Sequence, residues 1–270
     1  MIEFSDSESR RFGHRVGRTT ISRFGDVSEV LSELDAYDVV VARTQADDWR
    51  VPVALSSQTS HLFFTADHLM VWQGDLRTAS RRSLPAGWLM GEPRSIDEVI
   101  DVVRDSFDGY RSHYSMNRLF ETGAVLDGYC EWAAVMASRD DHECIVLADD
   151  ANAPVGVALV DFSPDVPDVR LAGMIKRAQG RGLYASLLAG VAEMALGRGA
   201  TELQISTQST NVNVMRAWAR LGLLPTSTIA THHLTRLALL PDWAGGAADH
   251  LAQREGAAMT PRPPRGYTEL

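Results

Sequence analysis

From residue 95 to residue 240 the apolar positions of this chain change period several times, and the order of the changes is itself informative. Ser95-Ile-Asp-Glu98 reads as a capping box ahead of Ile96, Val99, Ile100 and Val103, which form one stripe of a helix. A second helical stripe covers 125–136 through Leu126, Tyr129, Trp132, Ala133 and Met136. Between the two lies an aromatic and polar stretch with Tyr110, His113, Tyr114 and Asn117. Two β-rich runs, 143–148 and 155–162, flank the polar turn 149–153 and predict a hairpin. The run 169–175 is a further strand, followed by a helix with Leu183, Leu187, Leu188 and Val191 on one face and Gly197 and Gly199 at its end. A strand over 202–207, a helix over 211–221 closed by Gly222, and a last strand or strand pair over 226–240 complete the pattern.

Residues 1–90 read as a small α/β unit: a helix over 27–34, a strand over 38–42, a second helix over 46–56 that Pro52 would kink or end, and one or two strands over 61–72. No arrangement of acids, bases or glycines in this unit forms a site, and its expected role is packing or dimerisation. Leu84 to Glu92, with Pro85, Gly87, Gly91 and then Pro93, reads as the linker. The expected organisation is therefore a small accessory unit over 1–90, a catalytic domain over 91–240 and a mobile tail over 241–270, which carries Gly245, Gly246 and a Pro-Arg-Pro-Pro-Arg run.

The chemistry concentrates where the strand over 169–175 meets the helix from Leu183. The intervening Met174-Ile-Lys176-Arg177-Ala-Gln179-Gly180-Arg181-Gly182 places two glycines just before a helix start, where the first amides lack intrahelical acceptors and the dipole is positive. Such a turn holds phosphate. The spacing is neither that of a P-loop nor that of a dinucleotide fold. It resembles the acyl-CoA loop of the GNAT N-acetyltransferase superfamily, Gln/Arg-x-x-Gly-x-Gly/Ala. Arg177-x-x-Gly180-x-Gly182 matches every position, while Gln179-x-x-Gly182-x-Tyr184 puts Leu187 and Leu188 where the family has its helix leucines. The second register is preferred, and Tyr184 then stands where a small residue is usual.

The element order from Ser95 to Leu240 is also that of the GNAT fold. The resemblance implies a mixed α/β (α+β) architecture, a central mixed sheet with splayed strands flanked by helices, preceded here by a small unit that reads as a degenerate copy. It further implies acetyl-CoA or another acyl-CoA as co-substrate, held by Met174, Lys176, Arg177, Gln179, Gly180, Arg181, Gly182, Leu183, Tyr184, Asn211 and Trp218, with no metal. Backbone groups around Met174 would pair with the pantetheine arm like an added strand.

Many family members carry a tyrosine acid on the next helix, in a pattern like Asn-x-x-Ala-x-x-Leu-Tyr. Here Asn211 is kept and Trp218 stands in the tyrosine place, an N–H donor that cannot act as an acid. The titratable alternatives are His113 first, then His232 or His233, with Tyr114 and Tyr184. Each histidine also has a plain reading as a residue bonded to backbone, and Asn211 has one as a helix cap.

A formal net charge of −9 argues against a global grip on nucleic acid or anionic lipid. The local clusters Arg10, Arg11, Arg15, Arg18 and Arg77, Arg81, Arg82 read as solvated surface. Two cysteines, Cys130 and Cys144, lack metal-like spacing and read as buried free thiols. Neither a leader nor a run of bilayer length is present, so a cytoplasmic protein is expected. The reading is an N-acyltransferase acting on a small amine, an amino sugar or a natural-product intermediate. Its rivals are a GNAT-like transferase that takes its acyl group from a carrier protein or an aminoacyl-tRNA, and a non-catalytic module that binds CoA or a partner.

Overall fold

The computed structural model describes residues 1–78 and 84–240. In chain order these residues form β1 (Glu3–Phe4), α1 (Asp6–Phe12), β2 (Val16–Ile21), α2 (Val27–Glu33), β3 (Val39–Gln45), α3 (Arg50–Ser56), β4 (His61–Asp75), β5 (Leu89–Gly91), α4 (Ile96–Phe107), α5 (Thr122–Ala137), β6 (His142–Ala148), β7 (Pro154–Asp161), β8 (Asp168–Met174), α6 (Leu183–Gly197), β9 (Glu202–Gln208), α7 (Val212–Leu221) and β10 (Leu224–Arg236). All ten strands belong to one sheet, in the order β1-β2-β3-β10-β4-β9-β8-β7-β6-β5.

Two parallel β-α-β crossovers, β2-α2-β3 and β8-α6-β9, sit on either side of the sheet's centre. Between them the chain exchanges strands. β4 enters between β9 and β10, and β10 enters between β3 and β4. The chain boundary near residue 90 is therefore not a boundary in the sheet, because β4 completes the C-terminal half and β10 completes the N-terminal half. Each sheet half thereby covers an edge that would otherwise expose unpaired N–H and C=O groups.

Alternate residues of each strand feed opposite layers. Ile145 and Leu147 of β6 join Leu187, Val191 and Trp218 beneath α6 and α7, while Cys144 and Val146 join Val99, Val103, Cys130 and Met136 beneath α4 and α5. Val40, Ala42 and Leu234 pack under α2 and α3, and Val16, Val39 and Val41 face Phe120 and Val125 on the other side. Both cysteines are free and buried, and burial raises both thiols, Cys144 to about 12, so neither is a thiolate near neutrality.

Several expectations are revised. Ser95 is the residue before α4 but makes no side-chain cap bond; Glu98 instead reaches back to the Arg94 N–H at 2.9 Å and pairs with the Arg94 guanidinium. Pro52 neither kinks nor ends its helix, since it lies in the first turn of α3, where its missing N–H would be unpaired anyway. The stretches 61–72 and 226–240 each yield one long strand rather than a pair. α1 and β2 were not read from the sequence, because Val16-Gly-Arg-Thr-Thr-Ile21 has few apolar residues. Its Gly17 is required by space: a Cβ there would lie 2.4 Å from Ile2 Cγ2 and 2.8 Å from the Tyr37 ring. The linker stretch contributes β5, which pairs with β6 at the sheet edge. The expected tail 241–270, and Arg81 and Arg82, lie outside the described residues.

Candidate functional site

β8 and β9 are parallel neighbours that bond only at Asp168↔Gln204 and Val169↔Ile205. Beyond those pairs they diverge, leaving a gap between Met174 and Gln208 whose walls are strand edges. The outer edges of both strands are satisfied, by β7 and by β4. At the mouth of the gap a single helical turn, Lys176–Ala178, leads through Gln179 to Gly180 (φ 74°), Arg181 and Gly182 (φ 78°), and α6 begins. Both glycines are left-handed, a conformation costly for other residues, and a Cβ on either would meet no atom within 4 Å. The turn is thus set by backbone conformation and opens onto free space. Gln179 Nε2 donates to the Met174 carbonyl at 2.9 Å, tying the turn to the end of β8.

The basic side chains of the turn are engaged by neighbours. Lys176 pairs with Asp108, Arg177 with Asp149 at 3.1 Å, and Arg181 lies 5.6 Å above the Trp88 ring. Asp149 also accepts the Ala151 and Ala153 amides, so it holds the hairpin turn as well as Arg177. An anion at this end would meet first the orphan amides and dipole of α6.

Tyr184, in the first turn of α6, and Trp218, on α7, line the same cleft. The Trp218 indole N–H donates to Tyr184 Oη at 3.1 Å, and Trp218 packs edge-on against Trp72 at 6.0 Å. Burial raises the Tyr184 phenol, which the Trp218 bond opposes, so Tyr184 is protonated at neutral pH. Asn211 occupies the cap position of α7 without a side-chain cap bond; its Nδ2 donates to Thr207 Oγ1 at 3.1 Å and fastens α7 to the end of β9.

The cleft continues inward as a single cavity of about 1200 Å³ that reaches past Tyr110 and His113 to Glu8, Arg18 and Arg43 on the N-terminal elements. Its histidines form an ordered chain. The Leu119 N–H donates to Asn117 Oδ1 at 3.1 Å, so Asn117 Nδ2 is the donor to His233 Nδ1 at 3.0 Å. His233 then carries its proton on Nε2 and donates to His113 Nδ1 at 2.9 Å, leaving the His113 proton on Nε2. As arranged, His113 presents a proton and not a lone pair. Burial holds His113 well below the ordinary imidazole value and takes His233 down to about 3. His232 faces the opposite side of β10, where Thr44 and Thr65 engage its two nitrogens at 3.0 Å each and burial lowers it to about 4. The structure therefore brings His113 and His233 together, with His113 alone of the three lining the cavity, and places His232 on the other side of β10. Tyr114 donates to Glu8, and burial raises its phenol.

Sequence reasoning missed Glu8, Arg18, Arg43, Asp67 and Tyr110 as site residues, whereas Gln208, at the end of the strand over 202–207, reads from the sequence as a candidate contact for the acceptor or the pantetheine. Asp67 lies beside Thr231, which lies beside Arg43, one row across β4, β10 and β3. Both Asp67 oxygens are sealed from solvent with no partner at hydrogen-bonding geometry. Thr231, Arg43, Gln208 and the His113 amide pull its pKa down, but burial dominates and holds it above the ordinary carboxylate value. Tyr110 donates to Gln208 Oε1 at the edge of this row. Away from the cleft, Asp141, His142 and Asp161 approach one another, with Arg139 and Arg170 already on the two carboxylates.

The sequence model of the acetyltransferase (GNAT) family matches residues 97–223, from α4 to the end of α7. This segment is a GNAT acetyltransferase domain. The matched segment supports an acyltransferase, and the co-substrate of the family it matches is acyl-CoA. The fold is similar to a GCN5-related N-acetyltransferase from Kribbella flavida, at 15% identity over 81% of both chains with a TM-score of 0.57. It is also similar to one from Sphaerobacter thermophilus, at 14% identity over 81% of this chain and 73% of that one, TM-score 0.58. A tandem GNAT protein from the clavulanic acid biosynthesis pathway aligns at 13% identity over 79% and 68%, TM-score 0.52. These likenesses are of fold. No curated protein matches the sequence. Among the described residues no helix is long and apolar enough to cross a membrane.

Proposed function

We propose that this GNAT protein moves an acetyl or other acyl group from acyl-CoA to the primary amine of a small molecule, an amino sugar or a natural-product intermediate. The observation that carries the reading is the single cavity running from the double-glycine turn, through the gap between β8 and β9, to a chamber roofed by Tyr110 and His113. The turn fits a pyrophosphate: the amides of Gly180, Arg181 and Gly182 have no partner among the described residues, its glycines leave the approach open, and α6 points its positive end there. The inner edges of β8 and β9 would accept the amides of the pantetheine arm. A bound acyl-CoA supplies the activated thioester; the chain's residues orient the amine, exclude water and manage the protons.

Tyr184 takes the acid role that Trp218 cannot fill. The indole N–H occupies one lone pair of Tyr184 Oη, which leaves the hydroxyl proton to be offered elsewhere and steadies the phenolate once it is given up. In the reaction the amine forms the new C–N bond, the C–S bond breaks, the thiolate takes the Tyr184 proton, and the proton shed by the amine restores the phenol. His113, with its proton on Nε2, serves as a donor to the acceptor rather than as the base.

A thiol-release assay with acetyl-CoA and a panel of primary amines tests the reading, and amine-dependent release is the expected outcome. The bulk of Tyr184 at a position usually small favours the second reading, in which another acyl carrier, or none, is used. Binding of acetyl-CoA without release on any amine would support a non-catalytic module.

A further inference from the structure

The inner end of the cavity is built by the N-terminal elements, and it is basic in an unusual way. Arg43 sits on β3 directly opposite Thr20 on β2 and Thr231 on β10, with Asp67 beyond Thr231 in the same row. Its Nε is sealed from solvent and has no hydrogen-bond partner. The acids around it, Asp67 and Glu8, act on it only through space, and burial together with Arg18 disfavours its charge. Arg18 stands opposite Val41, two residues before Arg43, so both guanidinium stems rise from the same face of the sheet on neighbouring strands. Among the described residues the one ion pair Arg18 makes is loose, 3.7 Å to Glu8 Oε2, and the other Glu8 oxygen is taken by Tyr114. Both arginines line the cavity. Glu8 meets Arg18 only at 3.7 Å and the Asp67 oxygens make no hydrogen bond to Arg43, so the two guanidinium groups keep donor capacity that an anion lying between them would take up.

The geometry points to an anion subsite formed by Arg18 and Arg43, so that the acceptor is an amine that also carries a carboxylate or a phosphate. This inference rests on the acyltransferase reading and adds to it the substrate class. It also gives the N-terminal segment a part in specificity: the cleft half of the cavity would bind the acyl donor, and the strands β2 and β3 would select the acceptor by its charge. Guanidinium forks match carboxylate and phosphate oxygens equally well, so the arms of the test separate the two.

Matched amines are compared in the thiol-release assay: an amino acid with the amine that lacks its carboxylate, and an amino sugar phosphate with the free amino sugar. For at least one pair the anionic member is expected to be preferred by about 10²-fold in kcat/KM, since a site built for a charged partner rejects the analogue lacking it. In Arg43→Met the preference should collapse towards unity, mainly through KM, with acetyl-CoA affinity retained. Arg43→Lys should recover part of it. Equal use of charged and neutral amines by the unaltered protein, or a preference that survives both Arg43→Met and Arg18→Met, would overturn the proposal. A second readout does not depend on turnover. With the turn at Gly180 and Gly182 saturated by CoA, inorganic phosphate is expected to raise the melting temperature of the unaltered protein further and to lose that effect in the Arg18→Met/Arg43→Met variant; an equal rise in both would refute the subsite. If no amine gives thiol release, the transferase reading fails while the phosphate result still decides the fate of the two arginines.

Discussion

Tyr184→Phe is expected to lower the rate of thiol release by about 10²-fold while acetyl-CoA affinity stays within about threefold. The substitution removes one oxygen from a side chain that lines the cleft and leaves its ring packed against α7. It also strands the Trp218 N–H, whose partner at 3.1 Å is that oxygen, so a loss of about 1–3 kcal/mol of stability accompanies it. The two effects separate in measurement: a folded variant that binds acetyl-CoA normally and turns over slowly marks a proton donor, whereas parallel losses of binding and turnover mark a packing residue. Burial keeps the phenol protonated across the assay range, so the unaltered protein should show no limb from Tyr184 in its neutral pH profile. Full turnover by the phenylalanine variant would remove Tyr184 from the mechanism and leave the thiolate to depart unprotonated.

The second large effect is on stability. His113, His232 and His233 are neutral in the folded state and all lie below the ordinary value of 6.5, His232 near 4 and His233 near 3, chiefly because burial disfavours the charged ring. Between their unfolded and folded values the unfolded chain binds more protons, so stability is present above pH 6.5 and falls as pH drops below it. Each imidazole contributes about 1 kcal/mol between pH 6.5 and 5.5, where the unfolded ring is only partly charged, hence about 3 kcal/mol for three. Asp67 and Asp168, whose values burial raises, act in the opposite direction as pH falls towards them. Urea unfolding at pH 7.5 and 5.5 should show the loss, and His232→Gln should reduce the pH slope by about one proton. An unchanged midpoint across the two conditions would contradict the neutral, buried histidine chain.

The C-terminal half was legible because its signals are local. The stripe Leu183, Leu187, Leu188, Val191 marks α6, and Gly222, left-handed at φ 96°, ends α7 where it was expected to. What completes the sheet was not legible, since nothing in the β-branched runs of β4 and β10 states which strands they will lie between. Neighbouring residues of a strand face opposite sides, so His232 and His233 could not both reach one site, and only the register with Thr65 and Phe64 decides which does. Arg43 lies one residue past the strand read from Asp38 to Ala42, and Arg18 was read as part of a solvated basic cluster; their meeting depends on the parallel pairing of β2 and β3, a contact far apart in the chain. Tyr184 was noticed as a misfit at a small-residue position, but its bond to Trp218 joins two helices and has no sequence signature.

The central claim is that the turn at Gly180 and Gly182 binds the acyl-CoA pyrophosphate, and calorimetric titration with acetyl-CoA of the unaltered protein and of Gly182→Val tests it most directly. Saturable binding that weakens about tenfold or more in the variant is expected, because a β-branched residue held at φ 78° costs about 1–2 kcal/mol or more and deforms the amides at the start of α6. Absence of binding to the folded, unaltered protein, or equal binding by the variant, would contradict the account.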